Sequence, residues 1–108
     1  MANSYKFLGV NLSTQTETSI LTAAAKDTII IKSIRVTNNT GNTPSIYLDV
    51  LDSSNSVEAT ILNTQSLTAD SSVEILTMPL ILESSDVLKA TVSTNDNVNI
   101  GISYLNIT

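Results

Sequence analysis

The chain has 108 residues, 42% of them hydrophobic but only 4% aromatic, and a formal charge of −5 from five basic and ten acidic side chains. That length supports one core and no second domain, able to bury roughly 60 to 70% of the surface its unfolded form exposes, and the core must come from Ile, Leu, Val and Ala. Neither cysteine nor histidine occurs, which excludes a disulfide framework, thiolate chemistry, Cys-ligated metal centres and a Ser-His-Asp triad.

The five cations (Lys6, Lys26, Lys32, Arg35, Lys89) are scattered along the chain. Phosphate-backbone binding and attraction to an anionic membrane both need clustered positive charge, so neither nucleic acid nor membrane is an expected partner. The opening "MANSYKFLGVNLSTQTETS" lacks a basic region followed by an apolar stretch and a small-residue cleavage site, and reads as mature cytosolic protein. The longest apolar runs, "TIIIKSI" and "PLILE", fall far short of the ~20 residues of a membrane span, so a soluble chain is expected.

Helical periodicity is nearly absent, and short β-rich runs separated by Ser, Thr, Asn, Asp and Gly take its place. In chain order these predict strands at about 5–11, 17–24, 28–38, 45–52, 56–67, 72–83 (with a break at Pro79), 86–93 and 98–107. Residues 1–16 are expected to be an N-terminal arm on a single domain spanning 1–108, with 1–4 and 12–18 the most mobile.

Within 28–38, strict alternation would carry Lys32 inward with Ile30, Ile34 and Val36. A bulge near Lys32–Ser33 instead places Ile31, Ile34 and Val36 inside and frees the lysine, because a bulge adds one residue to one strand. The polar run "NNTGNTP" then reads as a turn, so that 28–52 is expected to be a long strand, a turn and a return strand. Further on, Ile46, Leu48 and Val50 share one face against Tyr47 and Asp49. Val73 and Ile75 flank Glu74. Leu88, Ala90 and Val92 oppose Lys89, Thr91 and Ser93, and Val98, Ile100, Ile102 and Tyr104 oppose Asn99, Gly101 and Ser103. Each pattern gives one buried and one wet face. With turns at "DSSNS", "TADSS", "ESSD" and "TNDN", the expectation is an all-β fold: one antiparallel β-sandwich of about seven or eight strands, immunoglobulin-like or jelly-roll.

Candidate chemistry is thin. Asp49, Asp52, Ser54, Asn55 and Glu58 offer oxygen ligands around one hairpin but lack the glycine and the distant bidentate glutamate of a calcium loop, so they read as a solvated Asx-type turn. The pairs Asp49/Asp52 and Glu83/Asp86 read as solvated strand ends, since glycoside hydrolysis needs two carboxyls facing across a cleft usually lined by aromatics. No GxSxG or SxxK occurs. The acceptor patterns at Asn11, Asn38 and Asn106 are attributed to chance in an Asn/Ser/Thr-rich chain. We therefore expect no catalytic, metal or cofactor site and no enzyme. The outward apolar residues Tyr5, Phe7, Leu51, Ile81, Leu105 and Ile107 are the candidate protein–protein contact.

The segments "LTAAAKDTIIIKSIRVTNNTGNTPSIYLDV", "SSVEILTMPLILESSDVLKATVS" and "VNIGISYLNI" resemble small all-β virion proteins of tailed bacteriophages, in particular those that decorate or cement capsids. The resemblance covers nearly all of residues 17–107 and consists of strands and turns, so it carries over no functional residue. In the turn "ESSD", the last two residues stand where related sequences often carry Gly-Asp. The resemblance implies a virion structural protein whose partners are the major capsid protein or other virion proteins, and a homo-oligomer with a trimer favoured. Other settings are the neck, tail or baseplate, or a free-standing module for carbohydrate or a cell-surface ligand. The segment "SYKFLGV" is expected to add a strand to a neighbour's sheet, so that deleting residues 1–11 would weaken association and leave the β fold intact.

Overall fold

A computed structural model describes residues 2–13 and 15–108. Met1 and Thr14, which fall in the segments expected to be most mobile, lie outside the described residues. Nine strands and no helix make up the described chain: β1 (Asn3–Leu12), β2 (Thr18–Thr22), β3 (Thr28–Asn38), β4 (Ser45–Asp52), β5 (Val57–Ser66), β6 (Ser71–Glu74), β7 (Leu80–Leu82), β8 (Val87–Val92) and β9 (Val98–Ile107).

All pairings are antiparallel. The first sheet runs β1-β9-β3-β6, with β7 also on β3, and the second runs β2-β8-β4-β5. Between them lies a core of Ile, Leu, Val and Ala, including Ile31, Ile34, Val36, Ile46, Leu48, Leu88, Ile100 and Ile102, all essentially without exposed surface. Of the two sandwich topologies open to the sequence, the strand order selects the jelly-roll. Only β4 and β5 are both consecutive and paired, whereas most other connections carry the chain from one sheet to the other.

That crossing corrects the reading of 28–52. β3 belongs to the first sheet and β4 to the second, so "NNTGNTP" spans the sandwich instead of closing a hairpin. Asn38 makes the crossing possible. It is fully buried, its Nδ2 donates to the carbonyls of Asn42 (2.8 Å) and Thr68 (3.3 Å), and its Oδ1 accepts from the amide and hydroxyl of Thr40. Backbone groups that leave the ladder at the sheet edge thereby find partners.

The bulge lies where the alternation requires it. The β3–β9 register shifts between Ile31 and Ser33, leaving Lys32 exposed and Ile31 and Ile34 buried. Glu74, at the end of β6, completes it: its carboxylate accepts from the Ser33 hydroxyl and from the amide of Ile34 at 2.9 Å. Burial pushes this carboxyl up, but these donors, the Leu76 amide and nearby Arg35 outweigh it and hold the group below its ordinary value. The single strand expected over 72–83 is two, β6 and β7, because Pro79 has no N–H for the ladder and the chain leaves β3 between Ile75 and Pro79. This break accounts for the ninth strand.

The N-terminal segment completes its own sheet. β1 pairs with β9 along its full length, and Leu8, Val10 and Leu12 cover the core beside Ile102, Ile100 and Val98.

Candidate interaction face

The outer face of the first sheet is built by the alternation that fills the core. With Ile100 and Ile102 turned inward, β9 presents Gly101, Ser103, Leu105 and Ile107 outward; with Leu8 and Val10 inward, β1 presents Tyr5, Phe7 and Gly9. The register then aligns one apolar row across four strands: Tyr5 opposite Leu105, Leu105 opposite Ile30, and Ile30 opposite Ile81. Tyr5 is 80% exposed, Phe7 70% and Ile81 57%.

Five of the six candidate contact residues, Tyr5, Phe7, Ile81, Leu105 and Ile107, therefore share one face. Leu51 does not: it lies on β4, half-buried, on the outer face of the second sheet beside Glu58 and Val87. Ile30 belongs to the row but was not among the candidates, although the bulge near Lys32–Ser33 that places Ile31 inside already turns Ile30 outward.

Beside the row, the paired glycines Gly9 and Gly101 floor a groove of about 510 Å³. The Phe7 ring lies over them. A Cβ at Gly101 would stand 3.1 Å from Phe7 Cε1 and Cζ, tight enough that the ring would have to shift by a few tenths of an ångström, so glycine there lets the ring lie against the sheet. Arg35, Asn11 and Asn99 provide polar groups in the same groove. An isolated glycine inside a strand signals close approach of another group, and that signal was available at both positions. A neighbouring hollow is lined by Tyr5, Phe7, Lys6 and Lys32.

The opposite outer face is acidic. Glu17, Asp49 and Glu58 bring carboxylate oxygens within 4.8 Å of one another. Lys89 reaches Glu17 at 3.8 Å and Glu58 at 3.9 Å. Side-chain hydrogen bonding with Glu58 and then with Asp49, both carboxyls, raises the Glu17 carboxyl to about 6, against the opposing pull of Lys89. The raised value and the ion pair point in opposite directions; one ammonium among three carboxylates cannot satisfy them all, so the like charges prevail. The sequence reading placed Asp49 and Glu58 near Asp52 and missed Glu17, which is distant in sequence and arrives ahead of β2.

Asp52, Ser54 and Asn55 form the expected Asx-type turn: Asp52 accepts from Asn55 Nδ2 at 2.8 Å and from the Ser54 hydroxyl at 3.0 Å, which holds its carboxyl low. Asp86 departs from the reading of a solvated strand end. It is buried, and its carboxylate accepts from the backbone amides of Glu83 and Ser53, each at 2.9 Å. Glu83 and Asp86 thus form a turn and not an opposed carboxyl pair. Asn38, one of the acceptor-pattern asparagines, has its amide enclosed in the sheet crossing.

No family model matches the chain, and no curated protein matches it in sequence. Among solved structures, it is similar to a chain of the T13 IBDV viral particle, with a TM-score of 0.59 and 8% identity over 97% of this chain and 30% of that one. It is also similar to a chain of the Bacillus endospore appendages, described as disulfide-linked pili, with a TM-score of 0.58 and 13% identity over 98% of this chain and 88% of that one. A third likeness is to the Drosophila NLP core, studied for pentamer formation and histone binding, with a TM-score of 0.57 and 17% identity over 95% of this chain and 99% of that one. At these identities the likenesses show the fold, an all-β sandwich that viral-particle proteins also use.

Proposed function

We propose that this chain is a non-enzymatic structural protein of a virion, most concretely a capsid decoration or cement protein that stabilises the shell through protein–protein contacts. The observation that carries the reading is the apolar row Tyr5–Leu105–Ile30–Ile81 on the outer face of the first sheet, exposed at Tyr5 and Ile81, half-buried at Leu105 and Ile30, and flanked by exposed Phe7 and half-buried Ile107. Large exposed apolar surface rimmed by polar residues marks a contact site. Net negative charge and a Ser/Thr/Asn-rich exterior suit a protein made in many soluble copies before assembly. The viral-particle likeness supports the fold's suitability for such a role.

Quantitative mass spectrometry of purified source particles tests this. A copy number near that of the major capsid protein, or a simple fraction of it, is the expected result; a few to a few dozen copies per particle would move the chain to the neck, tail or baseplate. Absence from particles would overturn the virion reading.

A second reading, a carbohydrate or cell-surface binding module, draws on the groove, where Phe7 offers one stacking face and Arg35, Asn11 and Asn99 offer polar groups. A glycan array is its test, and binding lost in Phe7→Ala but kept in Tyr47→Ala would favour it.

A further inference from the structure

We propose that the two outer faces of the sandwich bind each other between copies: the first sheet's outer face on one copy seats on the second sheet's outer face on the next, head to tail. The inference rests on the assembly role proposed above and names the surfaces that self-association would use.

The charges are divided between the two faces. On the first sheet, Lys32 and Arg35 stand exposed beside the apolar row, with Lys6 lining the same hollow as Lys32. None of the three is in an ion pair; among the described residues, Lys89 alone is bridged. Glu74 faces Arg35 across the ladder, but its carboxylate is held by Ser33 and by the Ile34 amide at the bulge. On the second sheet, three carboxylates crowd around that single lysine. Glu74 offsets one cation of the first face as Lys89 offsets one anion of the second, and each face keeps a net excess of the charge opposite to the other's.

The apolar parts correspond in the same way. Tyr47 and Leu51 lie half-buried on the outer face of β4, and Leu51 is beside Glu58. Against the row of Tyr5, Leu105, Ile30 and Ile81 they offer the apolar counterpart, which explains why Leu51 lies apart from the other contact residues. Pairing either face with itself would place like charges together, which a desolvated contact disfavours. Because the complementary faces are on opposite sides of the sandwich, the contact is heterologous and propagates into a ring or an open stack, not a closed twofold dimer.

Sedimentation of the full chain at low ionic strength tests the inference. The wild type should self-associate, and association should weaken as salt shortens the screening length from ~10 Å at 0.1 M to ~3 Å at 1 M. Two double variants, Lys32→Glu/Arg35→Glu and Glu17→Lys/Glu58→Lys, should each associate roughly tenfold more weakly alone, and an equimolar mixture should recover wild-type association. Circular dichroism confirms that each variant folds; if a charge reversal fails to fold, the glutamine versions of the same pairs take its place and should also weaken association.

A wild type that stays monomeric at every accessible concentration overturns the proposal. So does a Glu17→Lys/Glu58→Lys chain that associates like wild type, since the second sheet's face would then take no part, and so does a mixture that fails to recover. Absence from particles would instead sink the virion reading while leaving this association in place.

Discussion

Asn38 is fully buried at the end of β3, and its amide holds together the loops after β3 and after β5. Asn38→Ala should destabilise the fold by about 1–3 kcal/mol, because the Thr40 amide and the Asn42 and Thr68 carbonyls lose the part-buried hydrogen bonds that join the two loops. Chemical denaturation measures this, and a change below a few tenths would show that the loops close without it. Ser85 raises the reverse case. Its φ of 70° is in the left-handed region, in the turn whose backbone is fixed by the Asp86 amide donating to Glu83 and the Ser85 amide donating to Ala23. A side chain costs roughly 1–2 kcal/mol there and glycine avoids that cost, so Ser85→Gly should stabilise by about 1 kcal/mol, net of glycine's larger entropy loss. A loss of stability would mean that the Ser85 side chain has a role of its own.

At the scale of elements, the second sheet's outer face brings the segment before β2 together with β4, β5 and β8, and so sets Glu17 against Glu58, Asp49 and Lys89. The Glu17 carboxyl is raised from 4.5 to about 6 in the folded chain. The folded state thus holds more protons than the unfolded state between these values, and stability falls as pH rises through that window. Because the group is well exposed, screening keeps the effect within the ~0.2–1 kcal/mol range of surface pairs. Wild-type melting temperature should drop slightly between pH 4.5 and 6, and Glu17→Gln should flatten that drop. A melting profile identical in the two proteins would refute the coupling.

At the scale of the molecule, the N- and C-terminal strands pair along their whole length, from Asn3 with Ile107 to Leu12 with Val98. Such pairing closes a loop of nearly the whole chain, so folding should be slow, in the ms–s range of non-local β proteins. Deleting residues 1–11 would strip Leu8 and Val10 from the core beside Ile102 and Ile100. We expect the truncated chain to lose more than about 10 °C in melting temperature, or its cooperative transition altogether. An intact transition would restore the view of the segment as an arm free for donation.

Much of this was legible along the chain. Period-two alternation identified the inward residues of β4, β8 and β9, and the misplaced charge of Lys32 located the bulge, because burying a lysine costs more than adding a residue to a strand. Pro79 announced the break between β6 and β7. These are local rules, acting over a few residues on backbone and solvation, and they determine the all-β class and the strand faces. Which strands lie side by side depends on contacts between residues far apart in sequence, and tertiary structure alone decided that. It turned an expected hairpin into a crossing between sheets, buried Asp86 under two backbone amides, brought Glu17 to Asp49 and Glu58, and separated Leu51 from the other outward apolar residues. The physical reason is that alternation states which way a side chain points but not which neighbour it meets; that depends on the pairing order of the two sheets.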